Sequence, residues 1–364
     1  MTRIPQGIEL TPFDAEFARD PYAVYARLRE AAPVHYDGTS YTVSGYREVA
    51  ELLRDHRLSV DPRRVGQRRD PRADNPVTLR PPDMMNLDDP DHARLRREVS
   101  RAFTQVSVAD FEPRIRRIAA QLLQDLPRQF DAIACYAGPL STRVIAEYIG
   151  IDADLHVAFK AWTDTLLMQG YPMPTEAQWQ AIVAADASMR ACIGEIVDAR
   201  AHAPGDDLVS RLIQTELDRD EVVDLCNLLV GAGSFTTTDL IGNALLRHSE
   251  SDGDSVAGIV NDTLRLDPPS QSVRRWALED IEVGGVTINT GSAVQLFIGA
   301  ANHDPQAGPH LAFGRGVHHC LGAMLARLVA QVALNILPPF DILACKRRKS
   351  LLFRGCSELL IALR

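Results

Sequence analysis

A mainly α-helical protein with a minor β portion, built as one domain over residues 1–364, is what this sequence predicts, and three observations predict it. Helical apolar spacing runs almost unbroken from Asp91 to Leu246, strand-like runs are short and confined to two regions, and no low-complexity linker or internal repeat divides the 364 residues. At 46% hydrophobic and 24% charged residues the chain is globular with a deep core, which excludes a disordered, collagenous or coiled-coil protein.

Taken in order, Asp20 and Pro21 give a start signal for a helix carrying Tyr22, Val24, Tyr25 and Leu28, and Ala32-Pro33 stops it. Strands follow at Val34 to Tyr36 and Tyr41 to Val43, joined by the turn pair Asp37-Gly38. A helix spans Tyr46 to Arg54. From Leu58 to Arg80 the chain is rich in Pro, Arg and Asp without periodicity, an excursion of the kind that lines binding sites. Helices are predicted at Ala93–Phe103, Ile115–Leu126, Thr142–Ile149, Val157–Leu167, Glu176–Ala199 and Asp218–Leu246, with no convincing strand between them. Strands return at Trp276–Ala277, Ile281–Val283, Val286–Ile288 and Val294–Phe297, with Gly284-Gly285 as a turn. A last helix near Leu321–Leu337 precedes a hairpin-like end.

The 39 basic and 48 acidic residues leave a net charge of -9, which offers nucleic acid no global field. No run of about eighteen apolar residues is present, and the polar, acidic start is unlike a signal peptide, so a cytoplasmic protein without membrane contact is expected. A monomer is expected as well. The six cysteines, 135, 192, 226, 320, 345 and 356, form no CxxC and no paired metal spacing, so neither a disulfide scaffold nor a structural zinc site is expected, and most should be buried, inert thiols.

One cysteine has telling neighbours. In Phe313-Gly314-Arg315-Gly316-Val317-His318-His319-Cys320-Leu321-Gly322 the glycines permit a tight loop, and Cys320 falls at the start of a helix, where N–H groups and the dipole favour a metal-ligating thiolate. Read alone, this is a glycine-rich turn with a buried thiol. The pattern FGxGxHxCxG before a helix resembles the haem-binding loop of the cytochrome P450 family, and the resemblance implies that fold, haem b as cofactor and Cys320 as its axial thiolate ligand, with Phe313, Gly314 and Gly322 shaping the loop. Asp89-Pro90-Asp91-His92-Ala93-Arg94-Leu95-Arg96-Arg97 resembles the family's HxxxR helix; the i, i+4 spacing puts His92 and Arg96 on one face, suited to two carboxylates. Arg275 and His318 match two further propionate contacts. Gly231-Ala232-Gly233-Ser234-Phe235-Thr236-Thr237-Thr238-Asp239 resembles the family's oxygen-binding groove, in which a threonine hydroxyl bonding back one turn opens the helix.

The pattern departs from the family in three places. Phe235 stands where the acid of an acid–alcohol pair is expected, and a phenyl ring relays no proton; Asp239, three positions past Thr236, is the nearest substitute. The ExxR pair reads Asp262-Thr263-Leu264-Arg265, which keeps an i, i+3 ion pair with a shorter acid. Only Gln306 to Pro309 separate Ala301-Asn302-His303-Asp304-Pro305 from His310-Leu311-Ala312-Phe313, and Ser249 to Val256 is short as well, so the arginine-bearing meander of the family has no counterpart.

What the resemblance implies is reductive activation of dioxygen and insertion of one oxygen atom into a small, moderately apolar metabolite. Ala232, Gly233 and Thr236 would frame the oxygen site and Phe235 the pocket. Leu166, Leu167, Met168, Tyr171 and Met173 are candidate lining residues, though Met and Leu at helical spacing also describe core. The basic clusters Arg63–Arg69, Arg94–Arg97 and Lys346-Arg347-Arg348-Lys349 are candidate docking points for a ferredoxin or flavodoxin-type electron donor. The missing acid also suits a peroxide-driven, coupling or rearranging enzyme, and the shortened segments suit a haem-binding protein without activity.

Overall fold

The computed structural model describes residues 3–66, 83–101, 103–168, 174–251 and 253–364. Most of the predicted elements are present, with ends moved by a few residues. The start signal at Asp20 is real: its carboxylate accepts from the N–H groups of Tyr22 and Ala23 at the head of helix Pro21–Ala31. The long central helix, Arg219–Glu250, opens on a reciprocal capping box of Asp218 and Glu221 and runs past its predicted end at Leu246. The same device, Thr175 with Gln178, opens Glu176–His202.

The largest apolar core surrounds the long helix, which packs against Gly138–Ile149, Glu176–His202 and Ala323–Ile336. A second core lies under a five-stranded sheet ordered Val34–Tyr36, Ser40–Val43, Ala293–Phe297, Ser272–Ala277, Leu58–Ser59. Its central pairing sets Arg275 opposite Val294. Ile281–Val283 and Val286–Ile288 form a hairpin turning at Gly284-Gly285, as the sequence suggests.

Several expectations are corrected. A strand, Gln129–Asp131, interrupts the helical region; it joins Phe340–Arg347 and Cys356–Leu363 in a three-stranded sheet and is followed by a π-helical turn, Ile133–Ala137. Three residues cannot show alternation, so no sequence signal marks it. Short helices at Gln105–Asp110, Leu208–Leu212 and Ile298–Asn302 likewise escape periodicity. Gly316–Ile336 is, by length and its mean hydropathy of 1.4, apolar enough to cross a membrane, contrary to the reading of the sequence. Its helical part packs on Glu112–Gln124, the long helix and Val256–Leu266. Of the cysteines, only Cys226 and Cys356 are buried; Cys320 and Cys345 are exposed.

Ser255 caps a new helix, Val256–Leu266, five residues after Glu250. Asp304 accepts from the N–H groups of Tyr46 at 3.0 Å and Gln306 at 2.9 Å, and the Leu311 N–H returns to Asn302 Oδ1 at 2.7 Å. The i, i+3 pair of Asp262 and Arg265 does not form: both are exposed, and no ion pair is found at either among the described residues. The basic side chains Arg347 and Arg354 instead converge on Asp267, at 2.8 and 2.7 Å.

Candidate active site

The cysteine loop is shaped by two reversals of the chain. Gly314 donates to Leu311 O at 2.8 Å, and Cys320 N–H returns to Phe313 O at 2.8 Å. Gly316, at φ +75°, allows the return; a Cβ there would sit 2.7 Å from Leu53 O. Gly322 caps the next helix, which begins at Ala323, so Cys320 precedes the helix and does not open it. Its side chain is exposed, with protein atoms gathered around it. Burial pushes the thiol above its ordinary value, while the Gly322 N–H and the charges of Arg96 and Arg327 pull it down.

Basic side chains from three segments gather beside the loop. His92, on helix Asp91–Ser100, is buried; its Nδ1 meets Asp89 at 3.1 Å, and its Nε2 is buried without a hydrogen-bond partner among the described residues. Its ring lies 4.2 Å from that of His318, whose protonation is held down to about 4 by burial, then by His92 and Arg275. Arg275 projects from strand Ser272–Ala277; burial lowers it to about 10, and no carboxylate pairs with it among the described residues. Arg96, one turn after His92, donates to His319 O at 2.6 Å. The i, i+4 spacing sets both residues on one helical face beside the cysteine loop.

On the long helix, Thr236 donates to Ala232 O at 2.7 Å, the predicted back-bond, but the helix stays α-helical throughout. Gly233 lets Ile145 approach within 3.2 Å of where its Cβ would be. Phe235 meets Phe353 edge-on, ring centres 4.8 Å apart at 78°. Asp239 is fully buried and bound by Arg348 at 2.7 Å, so its carboxylate is engaged at the terminal hairpin.

The family model Cytochrome P450 matches residues 256–310. The vitamin D(3) 25-hydroxylase of Pseudonocardia autotrophica is 34% identical over 89% of this chain and 87% of its own length. The 6-deoxyerythronolide B hydroxylase of Saccharopolyspora erythraea is 32% identical over the whole of both chains. The chain belongs to the cytochrome P450 family. Among solved structures, P450BioI in complex with a hexadec-9Z-enoic acid-ligated acyl carrier protein is 30% identical, with a TM-score of 0.88 over 96% of this chain and 99% of that one.

A cytochrome P450 carries haem bound through a cysteine thiolate, and the residues here fit that group. The buried Nε2 of His92 and the guanidinium of Arg275, which bonds the Arg274 carbonyl and meets no carboxylate among the described residues, are donors suited to carboxylates, and Cys320 supplies a soft sulfur. In this P450, Arg327 also belongs to the site, although the sequence pattern gave it no role. Its guanidinium lies 4.5 Å over the Phe313 ring, and its charge reaches Cys320. Phe353 was missed for a similar reason: its contact with Phe235 crosses 118 positions and leaves no local signal.

Leu166, Leu167 and Met168 are half-buried at the end of helix His156–Leu167, whereas Tyr171 and Met173 lie outside the described residues. So does 67–82, the centre of the predicted excursion and the end of the Arg63–Arg69 cluster. Within the basic clusters, Lys346, Arg347 and Arg348 pair with Glu358, Asp267 and Asp239, and Arg94 with Glu221. Arg347 and Arg348 are thus engaged within the fold, whereas the Lys346 and Arg94 pairs lie at the surface.

Proposed function

We propose that this P450 uses electrons from a ferredoxin or flavodoxin-type donor to activate dioxygen and hydroxylate or epoxidise a small, moderately apolar metabolite, acting as a cytoplasmic monomer. The observation that carries the reading is the set beside Cys320: a crowded thiol and, among the described residues, a buried histidine nitrogen lacking a partner and arginines lacking carboxylates. In this reading the Cys320 sulfur ligates the haem iron, His92, Arg96, Arg275 and His318 hold the propionates, and Ala232, Gly233 and Thr236 frame the oxygen site. Haem, once bound, supplies the oxidising chemistry. The chain's own part is to fix the sulfur, to charge-match the propionates, and to hold the Thr236 hydroxyl proton on Ala232 O.

The reduced carbon monoxide complex tests this. A thiolate-type absorption spectrum that is lost in Cys320→Ala is the expected result; a haem-loaded wild type without it overturns the assignment. Phe235 favours one second reading, turnover driven by peroxide. Product formation with hydrogen peroxide alone, at the rate reached with an electron donor, is the result that selects it.

A further inference from the structure

Cys345 and Cys356 lie eleven positions apart in sequence, on the two strands of the terminal hairpin, and their sulfurs approach to 3.3 Å. Strand register alone does not pair them, since Cys356 faces Arg347 and Cys345 faces Leu359. A register shift between Cys356 and Glu358 brings Cys356 back toward Cys345. The two differ in access: Cys345 is exposed and Cys356 is fully buried. We propose that Cys345 and Cys356 form a peroxide-reactive dithiol that closes to a disulfide, with Cys345 as the attacking sulfur and Cys356 as the resolving one.

The balance is simple. The Cys345 sulfur attacks one oxygen of hydrogen peroxide; the O–O bond breaks, a sulfenic acid forms, and the thiol proton leaves with the second oxygen as water. The Cys356 sulfur then attacks the sulfenic sulfur; the S–S bond forms, the S–O bond breaks, and the Cys356 proton leaves with that oxygen as a second water. Two thiols and one peroxide give one disulfide and two waters, with two electrons passing from sulfur to oxygen. An exposed attacking thiol beside a buried partner is the arrangement this chemistry needs. The hydrogen bond from Cys356 holds the Cys345 thiol down to about 6, with help from Arg347 against burial.

The pair sits at the base of a loop with a known contact. Arg348 N–H donates to Gly355 O at 2.9 Å between the two cysteines, and the loop they bracket carries Phe353 onto Phe235. A bond between Cys345 and Cys356 would fasten that loop from both ends.

The test uses the full-length, haem-loaded protein, treated with equimolar hydrogen peroxide, alkylated and digested with trypsin. Cleavage after Arg327, Lys346 and Arg354 isolates fragments 328–346 and 355–364, each with one cysteine. The expected result is that these fragments travel as one species until a reductant separates them, and that Cys345→Ser and Cys356→Ser both abolish it. Recovery of both cysteines alkylated in the wild type overturns the proposal. So does Cys345 recovered as sulfinic acid beside an alkylated Cys356. The wild-type digest decides the matter even where a variant folds poorly.

Discussion

Phe235 puts a ring where the P450 pattern has an acid, and that ring is fixed edge-on against Phe353 at 4.8 Å. Asp239 does not stand in for the acid, because Arg348 engages its carboxylate. A positioned proton donor contributes about 10²–10⁴ to rate. Phe235→Glu is therefore expected to raise the fraction of donor electrons recovered in product, by a factor on the order of ten, with a matching fall in peroxide released. Product and peroxide measured against donor consumed check this; an unchanged ratio means that protons reach the site by a route that bypasses residue 235. At this scale the sequence was readable where chemistry has fixed spacing. His92, Arg96, His318 and Cys320 follow from local pattern, and all four meet at the cysteine loop. Arg327 and Phe353 act across space, and spacing is silent about them.

Among the elements, the helix start at Asp20 was legible because capping is local; Asp218 and Thr175, not singled out as caps, likewise bond within the first turn they open. The fate of a polar residue inside a helix was not legible, because burial is decided by what packs on top. Asp239 is the case in point, covered by the terminal hairpin, where a Cβ at Gly355 would overlap its carboxylate. Burial raises its pKa from 3.8 to about 6 against the pull of Arg348. The folded protein thus keeps a proton that the unfolded chain releases, so stability from this group is highest below 3.8, falls as pH rises to about 6, and is level above. The gap corresponds to roughly 3 kcal/mol. Urea midpoints of wild type and Asp239→Asn between pH 4 and 8 should differ by an amount that changes below about 6 and is constant above it. Parallel curves across the whole range would place the titration elsewhere.

Over the whole molecule, the charges that tie distant elements together do not sit where the family's ExxR spacing places them. The sequence pointed to Asp262 and Arg265 as a surviving ion pair, since i, i+3 spacing permits contact; spacing gives only the opportunity, and both side chains are exposed. The charges that tie distant elements together meet at Asp267 instead. Its carboxylate takes Arg347 at 2.8 Å and Arg354 at 2.7 Å from the terminal hairpin, and Tyr22 OH at 2.7 Å from the amino-terminal helix. Asn243 of the long helix joins by donating to Asp267 O at 2.9 Å and accepting from Arg347 at 2.5 Å. Removing one member of a half-buried, hydrogen-bonded charge cluster leaves the others uncompensated, at a cost of up to about 3 kcal/mol. An exposed carboxylate without a partner costs no more than about 0.5 kcal/mol to replace. Asp267→Asn should therefore lower the unfolding free energy of the haem-loaded protein by up to about 3 kcal/mol, while Asp262→Asn stays within about 0.5 kcal/mol of wild type. Denaturant unfolding of the two variants side by side measures this, and a larger loss at Asp262 than at Asp267 would return the anchoring role to the i, i+3 pair.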